Sequence, residues 1–175
     1  RWNQEPTEMM SDNPKIIVLD DFPMGNIDKS LFDEIVTISR KNQIPIVYLE
    51  GPKSNLSSGE IIRLYFPFFI PSAIDSDALT PLSDESLNLG TSGINLSSFP
   101  PQQRSVKWMS DEKNWVNYSD GSYLIAEKNN IFMIAMPDIA GNHLKTSVNL
   151  ESPIYNIIKK VILHAYYANE GFLSL

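Results

Sequence analysis

No cysteine occurs in the 175 residues. That absence removes thiol nucleophiles, disulfides, zinc ribbons and iron–sulfur sites together. Histidine is nearly as scarce, with only His143 and His164, so a histidine-based metal cluster is hard to assemble. No G-x-x-x-x-G-K-[ST] or G-x-G-x-x-G string follows a strand, which excludes the common phosphate cradles. A G-x-S-x-G nucleophile elbow is also missing. No apolar run approaches the roughly 18 residues that a membrane span needs. Nothing near the start has the charged, apolar and small-residue layout of a signal peptide. Positive charge is in deficit: 14 Lys and Arg face 21 Asp and Glu, a net charge of −7. Such a surface repels phosphate backbones and disfavours nucleic-acid binding.

The residues that remain describe a globular chain. With 42% hydrophobic and 20% charged residues, it lies outside the disordered class. Its length suits a single domain spanning 1–175 with one continuous core. Because it opens on Arg1, the domain is expected to be cut from a longer chain.

Lys15–Leu19 (KIIVL) is a continuous β-branched run, the pattern of a strand buried on both faces. It stops at Asp20-Asp21, before the turn residues of Phe22–Asn26. Asp28 is placed to cap a helix running to Asn42, with Leu31, Phe32, Ile35, Val36 and Ile38 on one stripe. A second buried strand spans Ile44–Leu49 and ends at Glu50-Gly51-Pro52, and a further helix is expected over Glu60–Tyr65. Strand, helix, strand, helix with short links is the βαβ signature, with a right-handed parallel crossover.

Between about 66 and 104 the periodicity disappears among prolines, serines and acidic residues, so a long irregular insertion is expected. Shorter strands follow at Ser105–Met109, Trp115–Tyr118 and Tyr123–Lys128, the last two joined by a hairpin turn at Asp120-Gly121. Ile131–Met136 reads as another buried strand. The last helix has Ser152 as N-cap, Pro153 at its first position and Gly171 as its stop. Its apolar face carries Ile154, Ile157, Ile158, Val161, Ile162 and Ala165, and His164 sits at its boundary. The expected fold is therefore α/β: a three-layer α/β/α sandwich of flavodoxin-like type. Its mostly parallel sheet carries a β-hairpin at one edge.

In such sheets ligands bind at the carboxyl ends of the strands. The polar residues expected there are Asp20, Asp21, Glu50, Asp138, Asn142 and His143. Carboxylates so grouped suit magnesium or acid–base work, although strand ends are also commonly just solvated turns. Tyr65-Phe66-Pro67-Phe68-Phe69-Ile70-Pro71 is the most unusual string. Its prolines keep the three phenylalanines out of a single helix or central strand. Tyr65, Phe66, Phe68 and Phe69 either plug the core or form a partner surface. No cofactor is expected.

Asp20-Asp21-Phe22-Pro23 closing the first strand, the helix after it, and Leu49-Glu50-Gly51-Pro52 closing the second resemble the class I glutamine amidotransferase-like fold. The placement of Ser98-Phe99-Pro100-Pro101 and of the Ile131–Met136 strand is similar too. The resemblance covers most of the chain. It is nearest to non-catalytic members, found in β-galactosidase trimerisation domains and in bacterial membrane-anchored proteins that carry von Willebrand factor A modules. Catalytic members use a cysteine at an elbow after a central strand, with a later histidine and glutamate. This chain has no cysteine and no His-x-Glu string, so glutaminase chemistry of that type lacks its nucleophile. The resemblance implies a non-enzymatic recognition, assembly or structural domain of a larger membrane-anchored protein. On this reading it lies outside the cytoplasm, and its partners are other domains of the parent chain, another protein or a second copy. A ligand-binding, divalent-metal or hydrolytic domain using the acidic strand ends is the alternative.

Overall fold

A computed structural model describes residues 14–22, 29–50, 69–73, 104–108, 113–117, 123–135 and 153–169. Three of its strands run parallel. β1 (Ile17–Asp20) pairs with β2 (Ile46–Glu50), Ile17 opposite Ile46 and Asp20 opposite Leu49. β2 in turn pairs with β7 (Ile131–Ala135), Ile46 opposite Ile131 and Glu50 opposite Ala135. The expected runs of branched and apolar residues thus became strands. Ile46, Val47, Tyr48 and Leu49 are all buried, as a strand covered on both faces requires.

Beyond β7 the sheet turns antiparallel. β6 (Tyr123–Lys128) pairs with β7, and β5 (Lys113–Asn117) pairs with β6 through an irregular register. β4 (Arg104–Trp108) pairs with β6 at one position and with β3 (Phe69–Ala73) along its length. The order is β1-β2-β7-β6-β4-β3, with β5 also on β6. The β5–β6 pairing joins the two strands expected to form a hairpin. β3 differs from expectation, because it lies inside the segment read as irregular. Its Pro71 donates no backbone hydrogen bond, and β3 occupies the end of the strand order, where proline is tolerated.

α1 (Lys29–Asn42) links β1 to β2. Phe32, Val36 and Ser39 recur at helical spacing and are buried. With Leu19, Phe22, Ile46, Tyr48, Ala126, Ile131 and Met133, Phe32 and Val36 make one core cluster. The Phe22 and Phe32 rings lie 6.3 Å apart at 53°. Alternation along β7 places Phe132 and Ile134 on the other face of the sheet. There His164, on α2 (Pro153–Asn169), sets its ring edge-on to Phe132 at 5.6 Å, with Nε2 3.9 Å from Glu127 Oε2. Ile157, Ile158, Val161 and Ala165 are the buried face of α2, and Asn169 Nδ2 donates to the Lys15 carbonyl at 3.4 Å. His164 is mostly covered, its side chain 17% exposed. The architecture is α/β, one sheet with two helices among the described residues. The Glu60–Tyr65 helix, the Asp120-Gly121 turn, and the caps at Asp28, Ser152 and Gly171 lie outside the described residues.

Candidate functional site

The carboxyl edge of β1-β2-β7 gathers part of the expected acidic set. Asp20 is the last residue of β1. Asp21 leaves the strand with φ of 50°, and its N–H donates to the Leu49 carbonyl at 3.0 Å. That bond extends the β1–β2 ladder by one residue and leaves Asp21 buried. Glu50 closes β2 with its backbone beside Ala135. The parallel register therefore brings Asp20, Asp21 and Glu50 to one edge. Asp138, Asn142 and His143 follow β7 in the chain but lie outside the described residues. Among the described residues no group of three His, Cys, Asp or Glu is placed to hold a metal ion.

Of the aromatic string, Phe69 begins β3, while Tyr65, Phe66 and Phe68 lie outside the described residues. An apolar surface instead stands out on α2. Leu163 is 41% exposed, Tyr166 36% and Tyr167 45%. With the exposed Lys159 they fall at i, i+4, i+7 and i+8, one outward face of the helix. The two tyrosine rings meet edge-on at 5.5 Å. Sequence reading passed over this ridge, although Leu163, Tyr166 and Tyr167 visibly lie off the buried stripe.

The amino edge of the same strands holds a groove of about 500 Å³. Among the described residues its lining comes from the end of α1 (Val36, Ser39, Arg40), the connection to β2 (Gln43, Ile44, Ile46) and the β6–β7 turn (Asn129, Asn130, Ile131). Local chemistry builds each wall. α1 ends in a Schellman motif: the Ile44 N–H donates to the Ser39 carbonyl at 2.9 Å and the Gln43 N–H to the Arg40 carbonyl at 3.4 Å. Gln43 takes the left-handed position at φ of 56°, where glycine is usual. Ser39 Oγ donates to the Ile44 carbonyl at 2.7 Å, and Pro45 then prevents the helix from continuing. Across the groove Asn129 and Asn130 have φ of 50° and 65°, the two positive angles of a type I′ hairpin turn. Asn130 Nδ2 donates to the Gln43 carbonyl at 3.0 Å, and the Ile46 N–H donates to the Asn130 carbonyl at 3.1 Å. The turn and the helix end are thus tied together. The available signal was Asn129-Asn130 between two strand patterns, a two-residue link that demands positive φ.

No helix among the described residues is long and apolar enough to cross a membrane. Comparison with family models, curated proteins and solved structures gives no match to this chain.

Proposed function

We propose that this chain is a non-enzymatic recognition or assembly domain within a larger, membrane-anchored bacterial protein, held outside the cytoplasm. The observation that carries the reading is the ridge of Leu163, Tyr166 and Tyr167 on the outward face of α2. Tyrosine offers a large apolar body, a polar tip and few rotors, which suits a surface that meets another protein. The occupant is another domain of the parent chain, and Tyr65, Phe66, Phe68 and Phe69 are a second contact in the same proposal. The fold belonging to this reading is the three-layer α/β/α sandwich of the glutamine amidotransferase-like type, without its nucleophile. In its support, α1 joins two parallel strands and packs on one sheet face, while α2 meets Phe132 on the other.

The test replaces Leu163 and Tyr167 with serine in the full-length native protein. Leu163 and Tyr167 are 41% and 45% exposed, so together the two substitutions cost about 1–2 kcal/mol and leave the domain folded. The expected result is faster limited proteolysis between this domain and its neighbour in the parent chain, with unchanged secondary structure by circular dichroism. An unchanged cleavage rate overturns the ridge as a contact surface.

A second reading is supported by the convergence of Asp20, Asp21 and Glu50 at the carboxyl edge. It adds Asp138, Asn142 and His143 and makes the edge a divalent-cation or small-ligand site. A melting temperature raised by millimolar magnesium or calcium, and not raised in Asp20→Ala, would establish it.

A further inference from the structure

We propose that β1 is a self-association edge, pairing antiparallel with β1 of a second copy of this chain across a twofold axis at Val18. This inference is independent of the α2 ridge and of the acidic carboxyl edge. β1 and β3 end the strand order of the seven-stranded sheet. An end strand presents a row of backbone donors and acceptors to which another strand can add, and proteins commonly blunt it. β3 is blunted by Pro71, which supplies no N–H. β1 reads Ile-Val-Leu-Asp and runs in unbroken register along β2, with neither a proline nor a bulge.

The bonds to β2 fix which backbone groups of β1 face outward. The Ile17 N–H donates to the Pro45 carbonyl at 2.9 Å, and the Asp21 N–H to the Leu49 carbonyl at 3.0 Å. Alternation along the strand therefore aims the N–H and C=O of Ile17 and Leu19 at β2 and those of Val18 at the outer edge. Val18 is also 42% exposed, against 5% for Leu19 beside it. An exposed β-branched side chain and outward backbone groups thus coincide at one residue.

That geometry is self-complementary. A twofold axis normal to the sheet makes an antiparallel pair in which each residue keeps its own face, and it sets Val18 opposite Val18. The two residues then exchange N–H···O=C bonds and cover each other's side chains, a favourable pairing of β-branched residues. Ile17 falls opposite Leu19 of the partner subunit. Charge selects the same direction. Lys15 stands just before the strand and is exposed, and Asp20 closes the strand. Antiparallel pairing keeps the two lysines apart and the two aspartates apart, whereas parallel pairing sets like against like. One short edge buries little surface, so the expected dissociation constant is about 0.1 mM.

The test follows the mass of the 175-residue chain by sedimentation in about 0.3 M sodium chloride, which screens the charge of −7 on each copy. The wild type should pass from monomer to dimer between about 0.01 and 1 mM. Val18→Lys sets like charges opposite each other and should raise the dissociation constant about tenfold or more, with an unchanged circular dichroism spectrum. Because the chain has no cysteine, a single introduced thiol reports the register. In Val18→Cys the paired Cα atoms lie about 5.5 Å apart, within disulfide reach. In Lys15→Cys they lie about 20 Å apart. Under diamide the first variant should cross-link about tenfold faster than the second. A wild type that stays monomeric at about 1 mM, equal cross-linking of the two cysteine variants, or a dimer undiminished by Val18→Lys would overturn the proposal.

Discussion

The two ends of the same parallel strands differ in chemistry and in shape. At the carboxyl edge, β1 and β2 finish in Asp20-Asp21 and Glu50, and Asp21 is drawn under cover by its bond to the Leu49 carbonyl. At the amino edge, the chain makes two tight reversals, at Gln43–Pro45 and Asn129-Asn130, and a groove remains between them. The difference lies in how the chain connects its strands. The two tight turns at positive φ carry Gln43, Asn129 and Asn130 and leave hydrogen-bonded walls around an aliphatic floor. Strand ends that lead away from the sheet select carboxylates. In open α/β sheets the carboxyl edge is the usual place for ligands, and the amino edge here carries an organised groove as well.

The comparison breaks most completely if α1 is loosened, because α1 supplies one wall of the groove and none of the described carboxyl-edge residues. Phe32 is fully buried against Phe22. Phe32→Ala should cost about 3–5 kcal/mol by urea denaturation. A cost below about 1 kcal/mol would show that α1 does not anchor this face. Smaller effects test the single ties of that wall. Ser39→Ala removes a buried 2.7 Å hydrogen bond to the Ile44 carbonyl and should cost about 1 kcal/mol in the same assay. Gln43→Gly should instead gain about 0.5 kcal/mol, since glycine relieves the left-handed position. A loss on Gln43→Gly would mean that the glutamine side chain itself stabilises the helix end. The smallest expected effect is at the other edge: millimolar magnesium should leave the melting temperature unchanged. A rise that Asp20→Ala removes would place a ligand site at the carboxyl edge.

Much of this frame was legible in the sequence. β2 and β7 are covered on both faces and read as continuous apolar runs, and β1 showed the same pattern within one or two residues, but as the end strand of the sheet it leaves Val18 42% exposed instead of buried on both faces. Their ends moved because Asp20 and Glu50, though polar, extend the ladder at its rim. α1 and α2 were visible because Phe32 and Val36, and then Ile157, Val161 and Ala165, recur at helical spacing. β3 was hidden by Pro71, which argues against a strand until its place at the end of the sheet is known. At the carboxyl edge Asp20, Asp21 and Glu50 could be anticipated, since each directly follows an apolar run. The groove could not. Gln43 and Asn130 are 87 residues apart, and only the β2–β7 register brings them together. Their amides carry no charge pattern that would mark a site in advance.

The central claim is that the chain works as a recognition or assembly domain of a larger anchored protein. It is tested most directly by the size and fraction of the native protein, read by immunoblot of separated membrane and soluble extracts. The expected result is a band far above 19.8 kDa in the membrane fraction. A soluble band near 19.8 kDa that migrates as a monomer on a native gel would contradict it.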